Sequence, residues 1–381
     1  MNRATYTLRQ LIFYFLKLGS VGFGGPIALA GYMYRDLVER QKWIADEDYK
    51  EGMALAQLAP GPLAAQLSIY FGYVHHGVLG ATLTGIAFVL PSFLMVVALG
   101  YVYVQAGGLP WMQAVFYGIG AAVIGIIAIS SYNLFRKSLG KDWLLWTLAI
   151  VTAITTFITE KEILWLILAA GIIAWLYKSP PKLNKTYAIF LLAPVLLQAT
   201  NNGWLNEKLE EIGWFFFKAG AFVFGSGLAI VPFLYGGVVK EYAWLNEQQF
   251  LDAVAVAMIT PGPVVITVGF IGYLVAGVPG ACVAALATFL PCYLFTILPA
   301  PYFKKYGKHP SIKAFVNGVT AAATGAIAGA VLVLAKRQLT DVDSWLMMAL
   351  TIFVLLKFKK IQIPVIILMA ALAGLLIKNF S

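Results

Sequence analysis

Lys17-Leu18-Gly19-Ser20-Val21-Gly22-Phe23-Gly24-Gly25-Pro26 places one cation, four glycines and a proline inside an otherwise apolar stretch. No helix runs undisturbed through such a run, because glycine permits φ > 0 and proline removes a backbone donor. Moving forward 201 positions, Lys17, Gly19 and Phe23-Gly24 return as Lys218, Gly220 and Phe224-Gly225. The same offset carries Tyr34 to Tyr235, Trp43 to Trp244, and Pro60-Gly61-Pro62 to Pro261-Gly262-Pro263. One residue is then lost, and at an offset of 200 Gly72-Tyr73, Gly77 and Leu90-Pro91 match Gly272-Tyr273, Gly277 and Leu290-Pro291. Gly118, Ala121, Ala122 and Gly125 find Gly318, Ala321, Ala322 and Gly325. A match of this length at nearly constant spacing describes one fold made from two copies of one unit.

Hydrophobic residues make up 61% of the 381 positions and charged residues 12%, against roughly 45–50% and 25% in soluble proteins. Apolar runs of bilayer length, about 20 residues each, fill most of the chain. It therefore reads as an all-α polytopic membrane protein with no room for a soluble catalytic domain. The net charge of +10 sits in short loops between spans, which is cytoplasmic retention of Lys and Arg rather than a nucleic-acid surface. Cys282 and Cys292 imply neither a disulfide framework nor a metal site. The first apolar stretch lacks a small-residue cleavage pattern and reads as a retained span.

Apolar segments cover 10–34, 46–74, 78–104, 111–135, 143–158 and 163–177, then 212–235, 247–275, 279–298, 312–335, 345–356 and 361–377. An unmatched segment, 187–200, lies between the copies. The expected organisation is a first repeat at 1–178, a linker with a connecting helix at 179–205, and a second repeat at 206–381. Placing the Lys178, Lys182 and Lys185 loop in the cytoplasm puts Arg136, Lys137, Lys141, the Lys304 to Lys313 cluster and Lys357 to Lys360 on that side too. Six crossings per copy plus one connecting crossing invert the second copy, giving thirteen in all. The segment around each Pro-Gly-Pro is read as a broken span in this count, with a re-entrant hairpin as the alternative. If both broken segments of a copy re-enter, loop sides survive and the count falls.

The breaks carry the candidate chemistry. Gly24, Gly25 and Pro26, Pro60, Gly61 and Pro62, and their counterparts Gly225, Ser226, Gly227, Pro261, Gly262 and Pro263 should expose backbone donors at membrane depth. Pro26 and Pro62 suit the start of a new helix, and helix N-termini bind anions. Lys17 and Lys218 stand two turns before the breaks, about 10 Å along the axis. Each faces a cavity or partner, or else snorkels to the headgroups. Gln57 and Gln66 flank the first Pro-Gly-Pro, and Thr260 and Thr267 the second, as candidate donors to an oxyanion or as interhelical glue. Glu51 and Asp252, also 201 apart, read as proton-coupling carboxylates or as acids offsetting a helix macrodipole. Gly225-Ser226-Gly227 lacks an intramembrane histidine base, so no catalysis is expected there. His75, His76 and His309 lack metal-ligand spacing, and neither a metal nor a cofactor is expected.

At Phe23-Gly24-Gly25-Pro26, Gln57-Leu58-Ala59-Pro60-Gly61-Pro62, Gln66 and Phe88-Val89-Leu90-Pro91, with the second-copy versions at Phe224-Gly225 and Pro261-Gly262-Pro263, the sequence resembles the chromate ion transporter family in its long, two-domain form. The resemblance covers essentially the whole chain. It implies a multi-pass carrier of the plasma (cell inner) membrane that moves chromate, and sulfate beside it, with two homologous halves of opposite orientation. The second copy departs from the pattern at Ser226 and at Met258, which replaces the glutamine before Pro-Gly-Pro. A proton-coupled carrier of another small inorganic or organic anion is the competing reading, and assembly as a homodimer is left open.

Overall fold

The computed structural model describes residues 6–23, 25–106, 110–159, 164–180, 207–223, 230–306, 309–339, 341–358, 361 and 363–380. Every regular element among them is helical. The connecting segment expected at 187–200 lies outside the described residues, as do Gly24, Gly225, Ser226 and Gly227.

Helix α1 (Leu8–Val21) starts where Thr7 and Gln10 form a reciprocal capping box, which satisfies two orphan amides. Leu11, Phe15 and Leu18, one helical face, are buried. The helix stops at Gly22, whose backbone is extended. Beyond the break, α2 (Gly25–Met33) carries Pro26 in its first turn and continues as a π-helical turn, Tyr34–Arg40. This segment runs back along α1: Gly22 lies against Leu29, and the Tyr6 and Trp43 rings stack with centroids 5.1 Å apart.

The second break repeats the manoeuvre. α3 (Asp46–Leu58) ends before Pro60-Gly61-Pro62, and α4 (Leu63–Ala106) starts after it. Tyr49 stacks on Phe71 at 5.7 Å, and Gly52 packs on the Tyr70 ring. Residues equally far before and after the break touch, so the arms are antiparallel. With 14 residues in α1 and 13 in α3, each arm covers roughly 20 Å, short of the hydrocarbon core of about 30 Å.

The second copy echoes this with α8 (Glu207–Ala221), α9 (Val231–Leu234) with its π-helical turn Tyr235–Glu241, α10 (Glu247–Ile259) and α11 (Thr267–Ile297). Phe215 stacks on Phe233 at 5.3 Å across the first break of that copy. The segments that carry the breaks, counted as crossings from the sequence, are thus each a pair of arms packed against one another. Antiparallel arms are the geometry expected of the re-entrant alternative rather than of straight crossings.

α4 is itself folded double at Gly77 (φ 60°, ψ −153°), and α11 at Gly277 (φ 60°, ψ −152°). Gly72 meets Gly80, and the Thr84 hydroxyl donates to the Ser68 carbonyl at 2.8 Å. The glycine pair lets two backbones approach where a side chain would hold them apart. The long outgoing arm of α4, 78–106, extends about 43 Å. Among the described residues, four helices are long and apolar enough to cross a membrane: α4, α11, α5 (Pro110–Leu139) and α13 (Pro310–Gln338).

The copies interlock rather than sit side by side. α5 packs on α14 (Val342–Lys357) and α15 (Ile363–Phe380), while its counterpart α13 packs on α6 (Trp143–Thr159) and α7 (Leu164–Lys178). Short α12 (Ala300–Tyr306) leans on α3. Gly118 lies against the Ala370 carbonyl, and Gly318 against the Ala170 carbonyl; both pairs are related by the offset of 200. Even unusual backbone recurs: Lys42 (φ 53°) and Ala243 (φ 48°), 201 apart, are the positive-φ non-glycine residues among those described. One difference breaks the symmetry. In α10 every residue from Leu251 to Met258 is buried, whereas the matching face of α3 exposes Lys50, Ala54 and Gln57.

Candidate functional site: the junction of the helix breaks

The Gly61 amide donates to the Val223 carbonyl at 2.6 Å, and the Gly262 amide to the Gly22 carbonyl at 2.9 Å. Gly22 and Val223 are 201 apart, as are Gly61 and Gly262, so one bond is the image of the other. Each Pro-Gly-Pro tip therefore closes on the broken end of the opposite copy's first hairpin. Glycine is required at both tips, with φ at 141° in Gly61 and 98° in Gly262. An added Cβ would lie 2.9 Å from Cys292 Sγ at the first tip and 2.0 Å from Ser92 Oγ at the second. Ser92 and Cys292 are themselves matched at 200. Each sits in the arm after its own Leu-Pro and packs on the other copy's tip.

Around the junction, several expected donors are already engaged. Gln66, 0% exposed, donates its Nε2 to the carbonyls of Ala59 (3.3 Å) and Pro60 (2.9 Å), and its buried Oε1 has no partner among the described residues. The Thr260 hydroxyl donates to Val256 and that of Thr267 to Val264. These side chains hold the breaks in shape. Gln57 is exposed on the outer face of α3. By contrast, the buried amides of Leu63, Ala64 and Ala65, the first turn of α4 after Pro62, meet no hydrogen-bond acceptor among the described residues. Pro261 is buried beside Gly262, and Pro263 caps a short 3-10 turn, Val264–Ile266, where the second copy begins its helix.

The charged candidates separate into different settings. Lys17 is exposed and lines a cleft of about 730 Å³ that also takes in Gly22, Phe23, Tyr14, Tyr32, Arg35 and Arg40. Lys218 is half-buried, its ammonium 5.7 Å from the centre of the Trp214 ring one turn back. Glu51 lines a second cleft of about 490 Å³ with Glu47, Asp48, Tyr70 and His75, and shares a hydrogen bond with the Tyr70 hydroxyl. Asp252 is 3% exposed; it accepts from the Tyr103 hydroxyl at 2.7 Å and from Gln248 Nε2 at 2.8 Å.

The two carboxylates are served by tyrosines from different places. Tyr70 belongs to the same copy as Glu51, and its counterpart in the second copy is Phe270. Tyr103 reaches Asp252 from the first copy, and its own counterpart is Phe303. Tyr103 meets Phe270 edge-on at 5.5 Å, so the hydroxyl has changed rings between the two sites. Sequence reasoning missed Tyr103, Ser92 and Cys292. The exchanged Tyr/Phe pairs and the Ser/Cys pair, read along the repeat alignment, were the available signal. No cluster of three metal-ligating side chains occurs among the described residues.

The chromate transporter family profile matches residues 9–175 and again 210–375. The chain is 67% identical over 375 residues to the chromate transport protein of Cupriavidus metallidurans, covering 97% of this chain and 93% of that one. It is 61% identical over 376 residues to a probable chromate transport protein of Synechococcus elongatus, with 97% and 96% covered. A chromate transport protein of Pseudomonas aeruginosa is 30% identical over 387 residues, with 97% and 92% covered. No solved structure matches.

Proposed function

The chain belongs to the chromate transporter family, and on that footing we propose that it is a secondary carrier of a tetrahedral oxyanion, chromate or sulfate, in the plasma membrane. The two repeats are inserted in opposite orientations, and the guest binds where their breaks converge. The observation that carries this reading is the reciprocal pair of hydrogen bonds, Gly61 to Val223 and Gly262 to Gly22. Each bond joins a Pro-Gly-Pro tip of one copy to the broken end of the other copy's first hairpin. Re-entrant tips are tolerated at membrane depth only where protein or water receives their backbone groups.

The unsatisfied amides of Leu63, Ala64 and Ala65 and the partial positive end of α4 supply donors to an oxyanion, and Lys17 supplies charge. Such a site reads shape and charge, and chromate and sulfate share both. Rocking of one repeat against the other, with the cross-copy bonds as the moving contact, exposes the guest to each side in turn. An inside-negative potential drives a dianion outward by roughly 4–5 kcal/mol per 100 mV, so efflux requires no coupling ion. Uptake requires one. Glu51, in an open acidic cleft, and the buried Asp252 are then the proton carriers, which is what favours the second reading of a proton-coupled carrier of another small anion.

Reconstitution in liposomes with labelled sulfate and chromate, with imposed potential and pH gradients, tests both. Potential-driven chromate flux without a pH gradient supports the first. Flux that needs the pH gradient and ignores both oxyanions as competitors replaces it with the second.

A further inference from the structure

The two first hairpins, equivalent in backbone, have opposite interiors. In the first copy the space between α1 and the returning segment is the open cleft of about 730 Å³. Its cations are Lys17, Arg35 and Arg40; Asp36 pairs with Arg35 at 2.9 Å and Arg40 at 3.6 Å, leaving two positive charges in excess. The Tyr14 hydroxyl is buried beside Asp36.

At the matching positions the second copy has Phe215 for Tyr14, Phe233 for Tyr32, Gly236 for Arg35, Gly237 for Asp36 and Glu241 for Arg40. There the Phe215 ring fills the space, stacked on Phe233 at 5.3 Å and edge-on to Trp244 at 5.6 Å. It presses so closely on Gly237 that an added Cβ would sit 2.0 Å from the ring. Of the three cations only the lysine is retained, and Lys218 lies on Trp214.

We propose that the Lys17–Arg35–Arg40 cleft of the first copy is a vestibule that captures the free tetrahedral dianion before it reaches the junction, and that the second copy has closed its counterpart with an aromatic plug. This rests on the oxyanion-carrier reading and adds to it where the anion is taken up and by which copy. The cleft runs from Arg40 and Trp43 at the base of the hairpin to Gly22 and Phe23 at its tip, so it leads to the junction. The same division of labour shows in the second hairpins, where α3 presents Lys50 and Gln57 to its surroundings and α10 has apolar Leu251 and Met258 buried in their place.

The test uses the full chain with Cys282→Ser and Cys292→Ser, carrying Tyr32→Cys or, as a second position, Phe13→Cys, in phosphatidylcholine vesicles. Sulfate replaces chromate because chromate oxidises thiols. A sulfonated methanethiosulfonate should label the introduced cysteine about tenfold faster than a cationic one, and sulfate should slow it. The Arg35→Gln/Arg40→Gln pair should abolish both effects and raise KM for sulfate flux about tenfold with kcat retained. Labelling indifferent to sulfate, or protection that survives the double substitution, overturns the proposal. So does protection given only by added phosphatidylglycerol, which would make the cleft a lipid-headgroup site. Labelling needs no transport, so protection without flux in the parent protein would sink the carrier reading and leave the vestibule standing.

Discussion

Gly61 and Val223 stand 162 positions apart (223 − 61) and are joined amide to carbonyl at 2.6 Å, the shortest of the backbone bonds outside helices. Its image, Gly262 to Gly22 at 2.9 Å, makes the pair a two-fold latch between copies that otherwise meet through side chains and close helix contacts. Backbone groups at these tips lie in irregular structure. In a hydrocarbon setting each lost partner costs several kcal/mol.

Alanine at the tips distinguishes the two halves of the latch. Both positions have positive φ, which costs about 1–3 kcal/mol for a residue with a Cβ. Gly262→Ala adds a collision with buried Ser92 at 2.0 Å, whereas Gly61→Ala meets Cys292 and Gln66 at 2.9 Å. Gly262→Ala is expected to lower thermal stability in detergent further than Gly61→Ala and to abolish oxyanion flux. The double variant Gly262→Ala/Ser92→Gly should recover part of the loss. Equal damage from both single changes, with no recovery, would falsify the latch geometry.

Tyr103→Phe removes one of the two donors to a carboxylate that is 97% buried, leaving Gln248 alone. An under-satisfied buried acceptor costs about 1–3 kcal/mol, so the variant should melt earlier. Asp252→Asn should restore much of that stability, because an uncharged amide tolerates burial better. If Asp252 carries the coupling proton, Asp252→Asn also removes any pH-gradient dependence of flux while potential-driven flux continues. The readout is the ratio of the two fluxes in the same vesicles.

Lys17 and Lys218 are equivalent in sequence and not in surroundings. Lys17→Gln takes a cation from an open cleft next to the break, and flux should fall about tenfold, as expected for loss of an electrostatic funnel, with Lys17→Arg recovering most of it. Lys218→Gln removes a cation lying on Trp214, a contact of about 0.5–1 kcal/mol at exposed sites. That change should lower the melting temperature slightly and leave KM alone. Matched losses of flux would show that both lysines face the anion.

The repeat, the helical class, the breaks and the lysines were legible in the sequence because glycine, proline and charge are loud signals in an apolar chain. The fold-back at Pro60-Gly61-Pro62 was legible only as one of two alternatives. A half-length helix and half of a broken span have the same composition, and only the contact of Tyr49 with Phe71 separates them. Interlocking of the copies was not legible at all. Gly118 and Gly318 announce close packing, yet nothing local says that the partner is Ala370 or Ala170 in the other copy. Gln66 reads as a ligand for the guest and turns out to tie down the carbonyls of Ala59 and Pro60, since a break leaves its own backbone to satisfy first.

Interlocking makes its own forecast. A Cβ at Gly118 would lie 2.0 Å from the Ala370 carbonyl oxygen, backbone against backbone. Gly118→Ala must therefore push α5 and α15 apart, at about 1–3 kcal/mol for overpacking. Gly31, exposed in α2 with nothing within 4 Å, is the control: Gly31→Ala should stabilise by about 0.5–1 kcal/mol. Thermal unfolding followed by the loss of monodisperse protein on gel filtration reads both. Opposite signs are expected, and a stabilising Gly118→Ala would mean the copies do not interlock through this contact.

Asp142 gives the pH-dependent case outside the spans. It accepts from the amides of Leu144 (3.1 Å) and Leu145 (3.4 Å) at the start of α6 and pairs with Lys178 at the end of α7. Burial pushes its carboxyl up, but Lys178 and the two amides together hold it below the usual carboxylate range. A carboxyl depressed in the folded state contributes stability above its unfolded value of about 3.9 and loses it as pH falls through the folded value. Asp142→Asn keeps the cap acceptor and removes the charge, so it should cost about 0.5–1 kcal/mol near neutrality. The gap between the two proteins' melting temperatures should then close on acidification below about pH 4. A gap that stays constant from pH 7 to below that point would show that the Lys178 pair contributes nothing to holding α6 and α7 together.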